Sequence, residues 1–173
     1  MSELTQEDVV IYLREGRSMA NLDYSGLDLR GINFQDVRFD GSSFAGANLA
    51  ETNLGGANLQ HCNLEEANFS EAMMVHVDMR HSNLRGANLV NANLKEAVLA
   101  DCDLTHADLT RANLTKASLV GATLQDALLV GANLRQALLL NANLHGAHTW
   151  KANFDGTVLD GAKGLEYSDP PEA

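Results

Sequence analysis

Two prolines and two cysteines stand among the 173 residues of this chain. That is too few thiols for a disulfide-stapled scaffold and almost no proline to break up the backbone. No run of 18 apolar residues is present to span a bilayer. The opening MSELTQEDVV is acidic where a secretion signal would carry positive charge ahead of an apolar stretch, so the expectation is a cytoplasmic protein with no membrane contact. Basic residues are scarce as well: 12 Lys and Arg face 23 Asp and Glu, a net charge of −11. That balance argues against direct nucleic-acid binding and against docking on anionic lipid. What remains is an apolar fraction of 45 %, enough at this length to bury one sizeable core.

The apolar residues are spaced with unusual regularity. Written in fives from Leu22, the chain reads LDYSG LDLRG INFQD VRFDG SSFAG ANLAE TNLGG ANLQH and continues to TVLDG at 157–161, giving 28 unbroken pentapeptides. The middle residue, here called i, is Leu, Phe, Met or Tyr in 27 of the 28, with Thr149 the exception. Two places earlier, at i−2, Ala occurs 17 times; position i−1 is Asn or Asp 18 times. A period of five would rotate each Leu by roughly 140° around a helix and smear the apolar stripe over its whole surface. A continuous strand fails too, because five is odd and successive i residues would point to opposite faces. The chain must therefore turn once per pentad, with i and i−2 inside and the i+1, i+2 pair forming a corner, often with Gly as at Gly26, Gly41, Gly86 and Gly121.

The runs ANLQH, CNLEE, ANFSE and RANLT resemble the pentapeptide repeat family, whose pattern is A(D/N)LXX, over about 140 residues. The resemblance implies an all-β solenoid: a right-handed quadrilateral β-helix with four pentads per turn, about seven coils for 28 pentapeptides, and a rod of roughly 34 Å at ordinary strand spacing. Each layer then matches four large i residues with four small i−2 residues. The Asn at i−1 is expected to hold backbone groups at the corners. Cys62 and Cys102, both at i−2 on one side but two coils apart, read as buried thiols and not a redox pair.

The chain divides into a cap and lead-in at 1–21, the repeat at 22–161, and a tail at 162–173 expected to be partly disordered. Thr5 reads as the N-cap of a helix with Leu4 stapled to Val9, Gly16 as its stop, and Val9, Val10 and Leu13 as the face that packs on the first coil. In the tail only Leu165 and Tyr167 are placed to cover the other end, which makes that end the one expected to self-associate.

For chemistry the sequence offers little. No phosphate loop, dinucleotide fingerprint, zinc-protease motif or nucleophile elbow occurs, and a Leu-filled rod has no cleft in which groups converge. No enzyme, cofactor or metal site is expected. His61 and His81, 20 residues apart, should share a corner, with His76 one side away, and that corner is expected to hold no acidic third ligand.

Function is therefore sought on the outward positions. The side centred on Leu99, Leu119, Leu139 and Leu159 carries Val98, Val120, Leu138, Leu140 and Val158 there; the opposite side carries Val90, Leu128, Val130 and Trp150. Stacked apolar rows of this length suggest an interface, against the alternative of repeat drift with aliphatics tolerated on strands. The favoured expectation is a non-enzymatic protein-interaction module, regulatory or scaffolding, binding an unidentified protein partner or forming a homodimer through its C-terminal half. The alternative comes from the family, some members of which mimic DNA and bind DNA gyrase. Against it, the coil holds 16 acids and 9 bases, whereas B-DNA carries about 20 negative charges over the same length.

Overall fold

A computed structural model describes residues 4–165. The chain opens with α1, Gln6–Glu15, and continues as pentads without any longer strand. Thr5 caps the helix: its hydroxyl oxygen accepts the N–H of Asp8, and the Asp8 carboxylate accepts the N–H of Thr5 at 2.9 Å, a reciprocal capping box. Gly16 ends it in the left-handed conformation, φ +63°. Val9 is fully buried, with Leu4, Tyr12 and Leu13 packed partly against the core. Val10, expected to pack, is instead 39 % exposed beside Ile11 at 43 %. One turn separates Val9 from Tyr12 and Leu13, whereas Val10 points about 100° away from Val9, so only one of the two can face the coil.

From Asp23 onward every bridge is parallel and joins residues 20 apart, Asp23 to Ser43 through to Asn143 and Lys163. The chain thus returns to its own edge after four pentads. Within each pentad the i position lies inside and is buried to 0–1 % from Tyr24 through Leu144. The first layers are aromatic: Tyr24 stacks on Phe44 at 4.5 Å, and Phe39 meets Phe34, Tyr24 and Phe44 edge-on. Above them Leu and Met take over, and Ala fills i−2. In the first four pentads i−2 is Leu22, Leu27, Ile32 and Val37. These aliphatics are partly buried at the end of the rod where the helix sits, and Val37 lines one groove with Tyr12, Leu13 and Met19.

In the interior coils, a pentad with Asn or Asp at i−1 accounts for each of its backbone donors. In the pentad around Leu49, the N–H of Ala47 closes the preceding turn onto Phe44 O, Asn48 donates down to Leu27 O, Leu49 donates up to Asn68 O, and Glu51 to Ser70 O. The fifth donor, Ala50 N–H, goes to Oδ1 of Asn48 at 3.2 Å. The same bond recurs wherever i−1 is Asn or Asp, for example Asn58 to Gln60 at 2.9 Å and Asp108 to Thr110 at 2.9 Å. The corner residue i+2 has positive φ in every pentad, whether Gly26 at +70° or Lys116 at +59°.

Cys62 and Cys102 are buried, unbridged, and hydrogen-bonded to Phe39 O and Met79 O. Burial pushes their thiols up, to about 11 and about 12. Among the described residues no helix is long and apolar enough to cross a membrane. Tyr167, expected to cover the C-terminal end, lies outside the described residues, as does most of the tail.

Candidate functional site

Each side of the coil presents two outward columns, i−1 and i+1, stacked at 20-residue intervals by the bridges. On the side of Leu139, Leu138 bridges Ser118 below and Val158 above, and Ser118 bridges Val98. The structure therefore places Leu138 and Val158 next to each other but separates them from Val98 by a serine. In the neighbouring column Val120 and Leu140 occupy successive levels, since Asp101 N–H bonds Val120 O and Gly121 N–H bonds Leu140 O, each at 2.9 Å. Leu138 is 39 % exposed, while Val98, Val120, Leu140 and Val158 are half-buried. The patch is a compact group in the upper coils.

The second side is less continuous. Leu128 is 37 % exposed and bridges Asp108 and His148. Val130 and Trp150 are neighbours, joined through Gly131 N–H to Trp150 O at 2.8 Å, while Thr110 lies between Val130 and Val90. Lys151 Nζ sits 4.0 Å from the centre of the Trp150 ring.

Among the described residues, the most exposed large apolar one belongs to neither row. Met73 is 54 % exposed, at i−1 between Asn53 and Asn93 on a third side, with Val75 in the adjacent column. A single Met among six Asn in its column is the signal that would have found it.

The histidine corner requires a correction. His61 and His81 do stack, rings 5.0 Å apart and 12° from parallel. The corner is not without an acid: Asp101 is the next residue of the column, its Oδ2 3.7 Å from His81 Nδ1, and Gly121 beyond leaves the room that the Asp101 carboxylate occupies. His76 pairs separately with Glu96 at 3.4 Å. Parallel rings present faces, not lone pairs, to each other, and among the described residues no three His, Cys, Asp or Glu converge to hold a metal ion.

This coil of outward columns around a Leu core defines a solenoid of five-residue repeats. The sequence matches the family described as Pentapeptide repeats in overlapping segments spanning residues 20–163; the chain belongs to that family. Solved structures it is similar to include HetL, a pentapeptide repeat protein involved in heterocyst differentiation regulation from the cyanobacterium Nostoc sp. strain PCC 7120, at 22 % identity over 94 % of this chain and 99 % of that one, TM-score 0.37. QnrB1, a plasmid-mediated fluoroquinolone resistance protein, is 20 % identical over 86 % and 81 % of the two chains, TM-score 0.52. A pentapeptide repeat protein of the Arabidopsis thaliana thylakoid lumen is 25 % identical over 69 % of each, TM-score 0.49. No curated protein sequence matches.

Proposed function

We propose that the protein is a non-enzymatic interaction module of the cytoplasm, regulatory or scaffolding, that binds a protein partner through the apolar group Val98, Val120, Leu138, Leu140 and Val158. The rod that carries it is taken as a right-handed, four-sided β-helix of about seven coils, a reading supported by 28 pentads and bridges every 20 residues.

One observation carries the functional reading. Val98, Leu138 and Val158 stand at i−1, where Asn or Asp would accept the i+1 N–H. Among the described residues the N–H groups of Ala100, Leu140 and Asp160 have no protein acceptor. Giving up that bond costs about 1 kcal/mol each time; open donors of this kind occur on the other sides too, at Ala45, Val75, Gln125 and Val130, but repeat drift has no reason to place five of them, Asp40, Ala100, Val120, Leu140 and Asp160, on one side. A contact surface does. The DNA-mimic alternative, binding to gyrase, has weaker support: Arg80, Arg85, Lys95, Arg111, Lys116 and Arg135 interrupt the acids, and the apolar group has no counterpart in a phosphate backbone.

The test is capture from host lysate with wild type and with Leu138→Asp/Leu140→Asp, circular dichroism serving as the folding control. The expected result is one or more proteins captured by wild type and lost with the double variant. A milder variant separates binding from stability. Leu138→Asn restores the missing acceptor and is expected to raise stability by about 1 kcal/mol while weakening capture. Identical capture by all three proteins overturns the reading.

A further inference from the structure

The side bearing Val90, Val130 and Trp150 has a property the other sides lack. Between Ala50 and Val130 its i+1 column reads Ala50, Ser70, Val90, Thr110, Val130, all small or β-branched, and the only charge in the neighbouring i−1 column over the same levels is Asp108. It is a flat, nearly uncharged strip, about 29 Å long from Asp28 to His148 at ordinary strand spacing. Charged residues line its two edges. One corner column holds Glu51, Glu71, Arg111 and Lys151, acidic toward the N-terminus and basic toward the C-terminus; the other holds Glu66, His106 and Asp126. Glu66, Glu71, His106 and Arg111 are all exposed, and among the described residues none has an ion-pair partner within the chain.

We propose that this face is the seam of an antiparallel homodimer, its two-fold axis lying in the interface, across the rod, at Val90. Such an axis lays each column upside down on the same column of the second copy. Val90 then meets Val90, and Ser70 meets Thr110. At the edges Glu71 faces Arg111 and Glu66 faces His106, each pair made twice, while Asp108 falls opposite Asn68. Toward the ends Arg30 reaches Trp150 and Asp28 reaches His148.

The charges select this arrangement over its neighbours. Moving the axis down by half a coil spacing leaves Glu66 opposite Gly86 and Glu71 opposite Asn91, and keeps one complementary pair, Glu51 with Arg111, where the axis at Val90 has two. Moving the axis up by half a coil spacing sets Glu66 against Asp126. A parallel pairing of the same faces sets Glu66 against Glu71. The last two juxtapose like charges at a desolvated edge, which disfavours them. The occupant of the face is thus a second copy of this chain, with charge complementarity fixing its direction and level.

The inference shares with the proposed function the premise that outward apolar residues are contacts, but it uses the other row. Leu138→Asp/Leu140→Asp should leave the dimer intact, so failure of one reading does not carry over to the other. The experiment is sedimentation equilibrium on the full chain. Wild type is expected at twice the chain mass. Glu71→Arg and Arg111→Glu should each weaken the dimer roughly tenfold or more, and the combined swap Glu71→Arg/Arg111→Glu should restore it. Register is read separately: Val90→Cys should be joined copy to copy by a short bis-maleimide, and Val120→Cys, on the other side, should not, the native thiols being buried. A wild type that stays monomeric to about 100 µM, a swap that fails to restore association, or no preference for position 90 each overturns the proposal.

Discussion

At the scale of single residues, the pentad is a solution to a donor-counting problem. Four of its five N–H groups are taken by turns and neighbouring coils, and the fifth explains why Asn or Asp is so frequent at i−1: a side-chain oxygen three bonds from Cα reaches the i+1 N–H and little else does. That corner role was legible in the sequence, because Asx residues mimic turns, but which donor needed it emerged only from the full hydrogen-bond pattern. The i+2 position carries the opposite tension. Residues such as Glu51, Arg111 and Lys116 sit at φ near +58°, a region that costs a non-glycine residue roughly 1 kcal/mol. The core has to outweigh that, which makes each Leu at i valuable. Leu104 is fully buried; Leu104→Ala should lower unfolding free energy by roughly 2–5 kcal/mol, measured by urea titration, and a change under about 1 kcal/mol would mean that the layers can collapse around the gap.

At the scale of elements, α1, the only helix among the described residues, seals an edge that would otherwise expose both backbone groups and the aromatic first layers. Its existence, start and stop followed from Thr5, the acids after it and Gly16. Its packing face did not follow from composition, since Val9, Val10, Ile11 and Leu13 are alike in hydropathy and only the direction of approach decides which of them face the coil. The large i−2 residues of the first four pentads were a visible signal of where it docks. Thr5→Ala removes the hydroxyl half of the capping box, leaving the Asp8 carboxylate to accept the N–H of residue 5, and should cost about 1 kcal/mol of helix stability. Amide exchange should show this as loss of protection from Val9 to Leu13 with protection at Leu84 unchanged; equal loosening at both would make cap and coil one cooperative unit. The candidate site was legible to a lesser degree. The two apolar rows come from simple arithmetic on the sequence, yet Met73 and Asp101 obey the same 20-residue arithmetic and emerge only when every column is followed, polar ones included.

At the scale of the whole molecule, acid should find the weak points. The side-chain hydrogen bond from Arg30 holds Asp28 below the ordinary carboxylate range, and Ser25 does the same for Asp23. For Asp103 burial pushes the carboxyl up, but the Thr105 hydroxyl, the Thr105 N–H and Arg85 outweigh it and the net shift is downward. A carboxyl whose folded value lies below its unfolded one stabilises the fold fully above the unfolded value, near 3.9 for Asp, and that contribution is lost as pH falls through the folded value. The urea midpoint should therefore hold from pH 7 to 5 and drop toward pH 2. Asp103→Asn, which keeps an acceptor for Thr105, should make that drop shallower; a midpoint flat from pH 5 to 2 would contradict the assignment. The 20-residue return of the chain has one more consequence, for how such a molecule can change over generations. Losing or gaining one pentad leaves every layer of Leu and Ala intact, but it swings everything beyond the event round to the next side, tearing Leu138 and Leu140 away from Val98 and Glu71 away from the level of Arg111. Lineages that lengthen or shorten this rod without disturbing its surfaces must do so in steps of four pentads.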